Sequence, residues 1–395
     1  MALLGSLEKP KDFRASFFGK IYRVAIGTIA LSSLGVPSLQ AASYIAARYS
    51  LRRHVADSNG VSKPIISFQT QKQPILTAVA QSFVLQAMHK RAITWFMDPS
   101  LDPRVRHAVA TVNKVTMIQT AQWANLTLGD RCGAQGLFEV NLLSAMHVRR
   151  LYFVRLSLLA SLICIYSLRC GALQLLRVTF WESLSVGIPP SLLCFRVCFS
   201  FVARAHSGLA SELLLARYAL ESPTYPDSPL AKHEAGLFSE LRAALAVAPS
   251  HRSAVYDQQV LPRSLPLIQA IGHRIAYDAA REAQVDGPLL DLFEVASMLQ
   301  DEAWYVEQLG MTRAQLRERE ARAIEAAFPH LEEYLSRMEL APYVPAPIVS
   351  EEKWERFLDN LQVFGETRSG RSAGAGIASG SFKNSVSRRS VRSML

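Results

Sequence analysis

Three short stretches of the chain carry side chains or backbone geometries that could meet a ligand. Arg48-Tyr49-Ser50-Leu51-Arg52-Arg53 ends in two guanidinium groups, whose planar forks suit paired anionic oxygens. Phe68-Gln69-Thr70-Gln71 stands where a helix should begin, so backbone N–H groups and glutamine amides are presented together. Cys132-Gly133-Ala134-Gln135-Gly136 contains two glycines, which permit close backbone approach to a bound group. Taken singly, each stretch has an ordinary structural reading. An arginine pair offsets a helix dipole at its C-terminal end, Gln and Thr cap helix starts, and glycines turn the chain between helices. Their order and spacing are what argue for a shared role.

The elements that must position these residues are helical. From 20 to 53, small and apolar residues recur with helical spacing, and Ala42, Ile45, Ala46 and Tyr49 fall on one stripe. Gly35 and Pro37 should kink or divide that helix. Asp57-Ser58-Asn59-Gly60 is a turn. A second helix is predicted over 68–96, burying Ile75, Val79, Phe83 and Met88. A third is predicted over 103–128, burying Val109, Val112, Val115 and Ile118. Further helices are predicted over 209–221, 232–248, 260–284, 289–308, 312–339 and 352–364, the last two separated by Pro342, Pro345 and Pro347. Alternating patterns are scarce, so the fold class is all-α. From Thr367 onward Gly, Ser and Arg dominate, a composition that cannot bury a core.

As an ordered set, the three stretches resemble the C-terminal helical portion of a peroxisomal-type acyl-CoA oxidase, in the acyl-CoA dehydrogenase/oxidase superfamily. His233-Glu234-Ala235-Gly236-Leu237 and the block from Pro266 through His273-Arg274 to Asp278 are similar to the last helical domain of long oxidases. The resemblance covers 16–146 and 209–365. It implies FAD as cofactor and a fatty acyl-CoA as substrate. The implied products are a 2-enoyl-CoA and, with O2, hydrogen peroxide, in fatty acid β-oxidation. It also implies a homodimer, in which this portion reaches a neighbour's FAD, and a peroxisomal setting. Arg53 takes the place of the arginine that meets the pyrophosphate. Phe68 and Gln69 belong to the family's Phe-Gln-Thr-Gln, and Gly133, Ala134 and Gly136 to the turn beside the adenosine portion. His54-Val55 departs from the family's Arg-Gln. The N-terminal helical and β-domains of the family are absent from the reading, and with them the grip on most of the FAD. The family's catalytic glutamate is not found: Val154-Arg155-Leu156-Ser157 stands there, Glu139 is too early, and Glu182 lies in a foreign Phe-Trp-Glu-Ser context. No catalytic residue is assigned, and activity of this chain alone is not expected. His273 reads as a core or interface histidine.

The remaining composition bounds the reading. The net charge of +10 arises locally: between Glu139 and Glu212 the acid is Glu182 against seven arginines, and the last 29 residues hold no acid. No zinc-finger spacing, basic helix or stacking motif supports a nucleic-acid partner. The five cysteines form no C-x-x-C pair and no metal set, which suits a reducing or peroxisomal compartment better than a disulfide framework. Lys9, Lys11, Arg14 and Lys20 before an apolar run mimic a signal peptide, but Glu8 and Asp12 interrupt the leader.

The chain divides into a first helical domain (16–146), an anomalous apolar insertion (147–205), a last helical domain (206–365) and a basic tail (366–395). The insertion has 13 uncharged residues between Arg155 and Arg169, short of the ~20 a membrane span needs, and it lacks amphipathic periodicity. It reads as non-coding sequence translated in frame, against a membrane anchor or a genuine inserted domain. Ser393-Met394-Leu395 lies close to a Ser-Lys-Leu import signal. Two other readings of the whole stand beside the oxidase: a non-catalytic helical dimerisation partner, and a membrane-anchored helical protein.

Overall fold

The computed structural model describes residues 26–56, 58–146, 223–250 and 253–361. Among these the chain is helical apart from turns, connectors and one small hairpin. The residues before 26, the insertion at 147–205, the predicted helix at 209–221, the tail and Ser393-Met394-Leu395 lie outside the described residues. The first compact unit ends at Arg356, and the helix Glu351–Asp359 spans that boundary.

The first described helix begins at Ile26 and turns at Ser33 and Leu34 before resuming as α1, Gly35–Arg52. Gly35 and Pro37 therefore mark a division of the helix. Small side chains bring α1 close to its neighbours: Leu39, Ala42, Ile45, Ala46 and Ala47 are all inaccessible. Ile26–Arg52 is long and apolar enough to cross a membrane by length and composition, yet over half of its most apolar window is buried within the protein. That burial is the behaviour of a core helix.

After α1, strands β1 (His54–Ala56) and β2 (Ser62–Pro64) pair antiparallel, with Val55 opposite Lys63. The Ser58-Asn59-Gly60 turn joins them, Gly60 at φ +75°. Three-residue strands show no alternation in sequence, which is why periodicity did not reveal them.

α2 (Gln69–Met97) and α3 (Pro103–Arg131) follow, within a few residues of the predicted ends. Ile75, Val79, Met88, Val109, Val112 and Ile118 are buried, while Phe83 and Val115 pack at the core's margin. α2 runs through Pro74; proline there lacks the N–H that would bond the Thr70 carbonyl. α1, α2 and α3 pack against one another.

On the far side of the undescribed stretch come α4 (Pro229–Val247), α5 (Leu261–Glu282), α6 (Gly287–Met298), α7 (Glu302–Leu309), α8 (Arg313–Ala327) and α9 (Leu331–Arg337). The predicted helix at 289–308 is two, parted by a 3-10 turn at Leu299–Asp301. The one predicted at 312–339 is also two, parted at Phe328–His330. Pro329 cannot supply the N–H that continues a helix but fits the first turn of a new one. Thr312 and Gln315 form a reciprocal cap at the start of α8.

α5 and α6 lie against α2, and α5 also against α3, so both sides of the undescribed stretch contribute to one apolar core. α5 approaches α3 very closely at Gly272, where an added Cβ would fall 1.9 Å from Thr116 Oγ1. Gln269 Nε2 donates to Gln119 Oε1 across the same contact at 2.7 Å.

Candidate cofactor-contacting site at one end of the helical layer

The three stretches singled out in the sequence meet at one end of the α1–α2–α3 layer. Arg53 caps α1: its N–H donates to the Tyr49 carbonyl at 2.8 Å, and its own carbonyl accepts from Ile65 N–H at 2.8 Å. Ile65–Ser67 forms a 3-10 turn into Phe68, the residue preceding α2. Gln71, in the first turn of α2, donates from Nε2 to the carbonyl of Arg131, the last residue of α3, at 3.0 Å. Cys132 and Gly133 come next. Tyr49 and Cys132 are near enough that the thiol helps raise the phenol's pKa, after burial as the larger cause.

The arginines of the first stretch have separate fates. Arg48 pairs with Glu332 at 2.8 Å and lies over the Tyr44 ring, its guanidinium 5.4 Å from the centroid. Arg52 pairs with Glu351 at 3.4 Å and lies over Trp354 at 5.8 Å. Both are turned to the chain's own later helices. The half-buried Arg53 guanidinium makes no ion pair or hydrogen bond among the described residues.

α2 begins without a side-chain cap, and Phe68 and Gln69 are exposed. Backbone N–H groups at such a start carry the positive end of the helix dipole. Beside them, Gly133 has φ +56° and ψ −138° with no atom near a hypothetical Cβ. Backbone conformation, not crowding, demands glycine there. Ala134 is exposed next to it. Gly136 differs: it is buried, and an added Cβ would lie 2.1 Å from the Gly129 carbonyl oxygen. Its lack of a side chain serves internal packing of the turn, while Gly133 and Ala134 form the outward face. Asn141 holds the turn from the other side, Nδ2 donating to the Gln135 carbonyl at 2.9 Å. Leu137, Phe138 and Val140, just beyond the turn, are exposed, as are Phe68 and Val55. Apolar residues gathered like this mark a contact surface more often than bare solvent exposure.

The described groups at this end are suited to holding a bound group. Cys132 is buried, and burial pushes its thiol up to about 12, so it is no nucleophile at neutral pH. The positions where a catalytic carboxylate was sought, 154–157 and Glu182, lie outside the described residues. Among the described residues no group of His, Cys, Asp and Glu could hold a metal.

The distal block forms a buried, charge-paired interior, although Asp278 Oδ1, Trp304 Nε1 and Tyr305 OH find no hydrogen-bond partner among the described residues. Arg274 Nε donates to Glu234 Oε2 at 2.6 Å, and its Nη1 lies 3.5 Å from Asp278 Oδ2, all three side chains being almost fully buried. His233 Nε2 meets Asp301 at 3.0 Å between the Trp304 and Tyr305 rings. His273 packs edge-on to Phe293, and burial, with the charge of His233 as a lesser cause, brings its imidazole down to about 4. Sequence reasoning overlooked two features. One is Gln71, although it stands in the quoted Phe-Gln-Thr-Gln. The other is the Glu234–Arg274–Asp278 set, whose only local signal is the four-residue Arg274/Asp278 spacing.

No protein-family model matches the chain, and no curated protein matches it in sequence. The fold is that of an all-α helical bundle, and solved structures share it. The fold is similar to that of Arabidopsis thaliana acyl-CoA oxidase 1, with TM-score 0.59 and 11% identity over 89% of this chain and 55% of that one. It is also similar to acyl-CoA oxidase 3 of Yarrowia lipolytica, with TM-score 0.60 and 13% identity over 90% and 54%. A third is Caenorhabditis elegans acyl-CoA oxidase-2 bound with FAD, ascaroside-CoA and ATP, with TM-score 0.59 and 14% identity over 91% and 56%. The chain thus carries the helical fold found in acyl-CoA oxidases. It spans about half the length of the oxidases it matches.

Proposed function

We propose that this chain is the helical portion of an FAD-dependent acyl-CoA oxidase, and that Arg53, Phe68, Gln69, Gly133 and Ala134 face the FAD of a neighbouring subunit, with Gly136 shaping the turn. The observation that carries this reading is the convergence of three sequence stretches at one end of the layer. There the one arginine of its motif left without a partner among the described residues stands beside an uncapped helix start and a glycine turn. Those groups fit the phosphate-bearing edge of a dinucleotide: a free guanidinium fork for paired oxygens, backbone N–H groups aimed outward, and a turn that admits close approach. When bound, FAD supplies the two-electron acceptor for oxidation of a fatty acyl-CoA to a 2-enoyl-CoA, with O2 giving hydrogen peroxide. This chain's own contribution is to bind and orient the cofactor's edge, and its exposed apolar residues would be covered by the partner subunit of a homodimer. A peroxisomal location follows from that activity, and the C-terminal Ser393-Met394-Leu395 would be its weak address.

Edge contacts alone hold a dinucleotide loosely, so the purified chain should be helical and dimer-prone yet retain little FAD. Titration with FAD, followed by flavin fluorescence and sedimentation, tests this. Weak saturable binding lost in Arg53→Ala supports it. Binding unaffected by Arg53→Ala counts against the assigned face, and stoichiometric flavin with acyl-CoA-dependent peroxide production would overturn the expected inactivity.

A further inference from the structure

We propose that Gln71 is a positioning residue of this site, a side chain that ties the Gly133 turn to the helix start and, through backbone bonds, to the Arg53 segment. A continuous line of hydrogen bonds joins the three stretches. Ile65 N–H donates to the Arg53 carbonyl at 2.8 Å, Phe68 N–H to Ile65 at 3.1 Å, and Gln71 N–H to Phe68 at 2.9 Å. The fourth bond runs from Gln71 Nε2 to the Arg131 carbonyl at 3.0 Å. Three links are backbone and survive most substitutions; the fourth depends on a side chain.

The acceptor explains why the link matters. The carbonyl of Arg131 ends α3 and is among the last-turn carbonyls that have no partner within a helix. The turn's other bonds are local: Gly133 N–H to Asp130, Gly136 N–H to Gly133, and Asn141 to Gln135. They shape the turn without tying it to α2. The orientation of the Gln71 amide follows from its partner, since the reverse orientation would set two carbonyl oxygens together. Its buried Oε1 has no partner among the described residues, so the donated bond is what fixes the amide there. Gln71 thereby ties the end of α3, from which the Gly133 turn departs, to the start of α2, which the backbone bonds join to the Arg53 carbonyl.

The role in cofactor binding rests on the function proposed above, and the tie itself can be tested without any cofactor. In the full chain, Gln71→Met keeps the side chain's length and removes the donor. Hydrogen exchange by mass spectrometry should show the segment around Gly133–Leu137 exchanging about three- to tenfold faster, the factor that one net hydrogen bond supplies. Gln269→Met, which removes a bond from Gln269 to mid-α3 by the same chemistry, should leave that segment unchanged. Unaltered exchange at the turn in Gln71→Met, or an equal increase in Gln269→Met, would overturn the assignment. If Gln71→Met loosens the turn but the wild-type chain binds no FAD, the positioning role stands and the cofactor reading falls. If the wild type binds FAD and the variant's turn exchanges normally, the reverse holds. With both correct, Gln71→Met weakens FAD binding several-fold while Gln269→Met, which loses a comparable hydrogen bond and comparable global stability, does not.

Discussion

Two regions of this helical body handle their arginines in opposite ways. In the α4–α5 interior, Arg274 is enclosed with two carboxylates, and His233 shares a proton-bearing contact with Asp301. At the motif end, Arg53 is half-exposed without a partner among the described residues, beside a glycine held at positive φ and several exposed apolar side chains. A buried charge left alone is so costly that an interior must complete itself. A surface charge carries no such penalty and can be left for something else to meet. The region whose arginine is paired reads as architecture, and the region whose arginine is open is where function is to be sought.

The sharpest way to break this contrast is Arg274→Met. It leaves Glu234 and Asp278 buried without their cation, and should destabilise the protein by about 3–5 kcal/mol. Urea denaturation measures it; a loss below about 1 kcal/mol would mean that the interior network is not what holds α4 to α5. Arg53→Ala, by contrast, should change stability by no more than about 0.5 kcal/mol, as expected for a surface position outside any network.

A smaller effect should appear with pH. His273 has a folded-state value lowered to about 4, so the unfolded chain takes up its proton first as pH falls. Its contribution to stability is complete above the ordinary histidine value of about 6.5 and is lost as pH falls from there toward 4. Between pH 7 and 4.5 this should remove about 2–3 kcal/mol, and His273→Gln should lose that part of the slope. Parallel slopes in the two proteins would assign the titration elsewhere.

A further, modest global effect sharpens the comparison from the other side. Gly133→Ala places a side chain on a backbone that favours glycine, at a cost of about 1–3 kcal/mol. Because no atom crowds the site, the turn can relax outward, and the measured loss should fall at the low end. Its larger consequence should be at the ligand, through displacement of the turn. A Gly133→Ala protein that keeps both its stability and its FAD affinity would remove the turn from the site.

Much of the helical reading was available in local periodicity, because each helix must turn one stripe to the core every few residues. The buried sets Ile75, Val79, Met88 and Val109, Val112, Ile118 follow from that alone. The breaks at Leu299–Asp301 and Phe328–His330 were missed because amphipathic spacing continues across a short 3-10 turn and hides it. The short strands beside Arg53 were hidden for a related reason, since their pairing is a relation between two segments. The three stretches of the candidate site were visible as residue types in order. The sequence by itself determined that the chain is helical, that its helices bury particular faces, and that the arginine, glutamine and glycine stretches stand at helix ends. Tertiary structure alone decided which groups remained available there. Arg48 and Arg52 are taken by Glu332 and Glu351, Gly136 is spent on contact with Gly129, and Gln71 is fixed to Arg131, leaving Arg53 and the outward face of Gly133. Those assignments arise where helices meet, often hundreds of positions apart in the chain, and no local pattern encodes such a meeting.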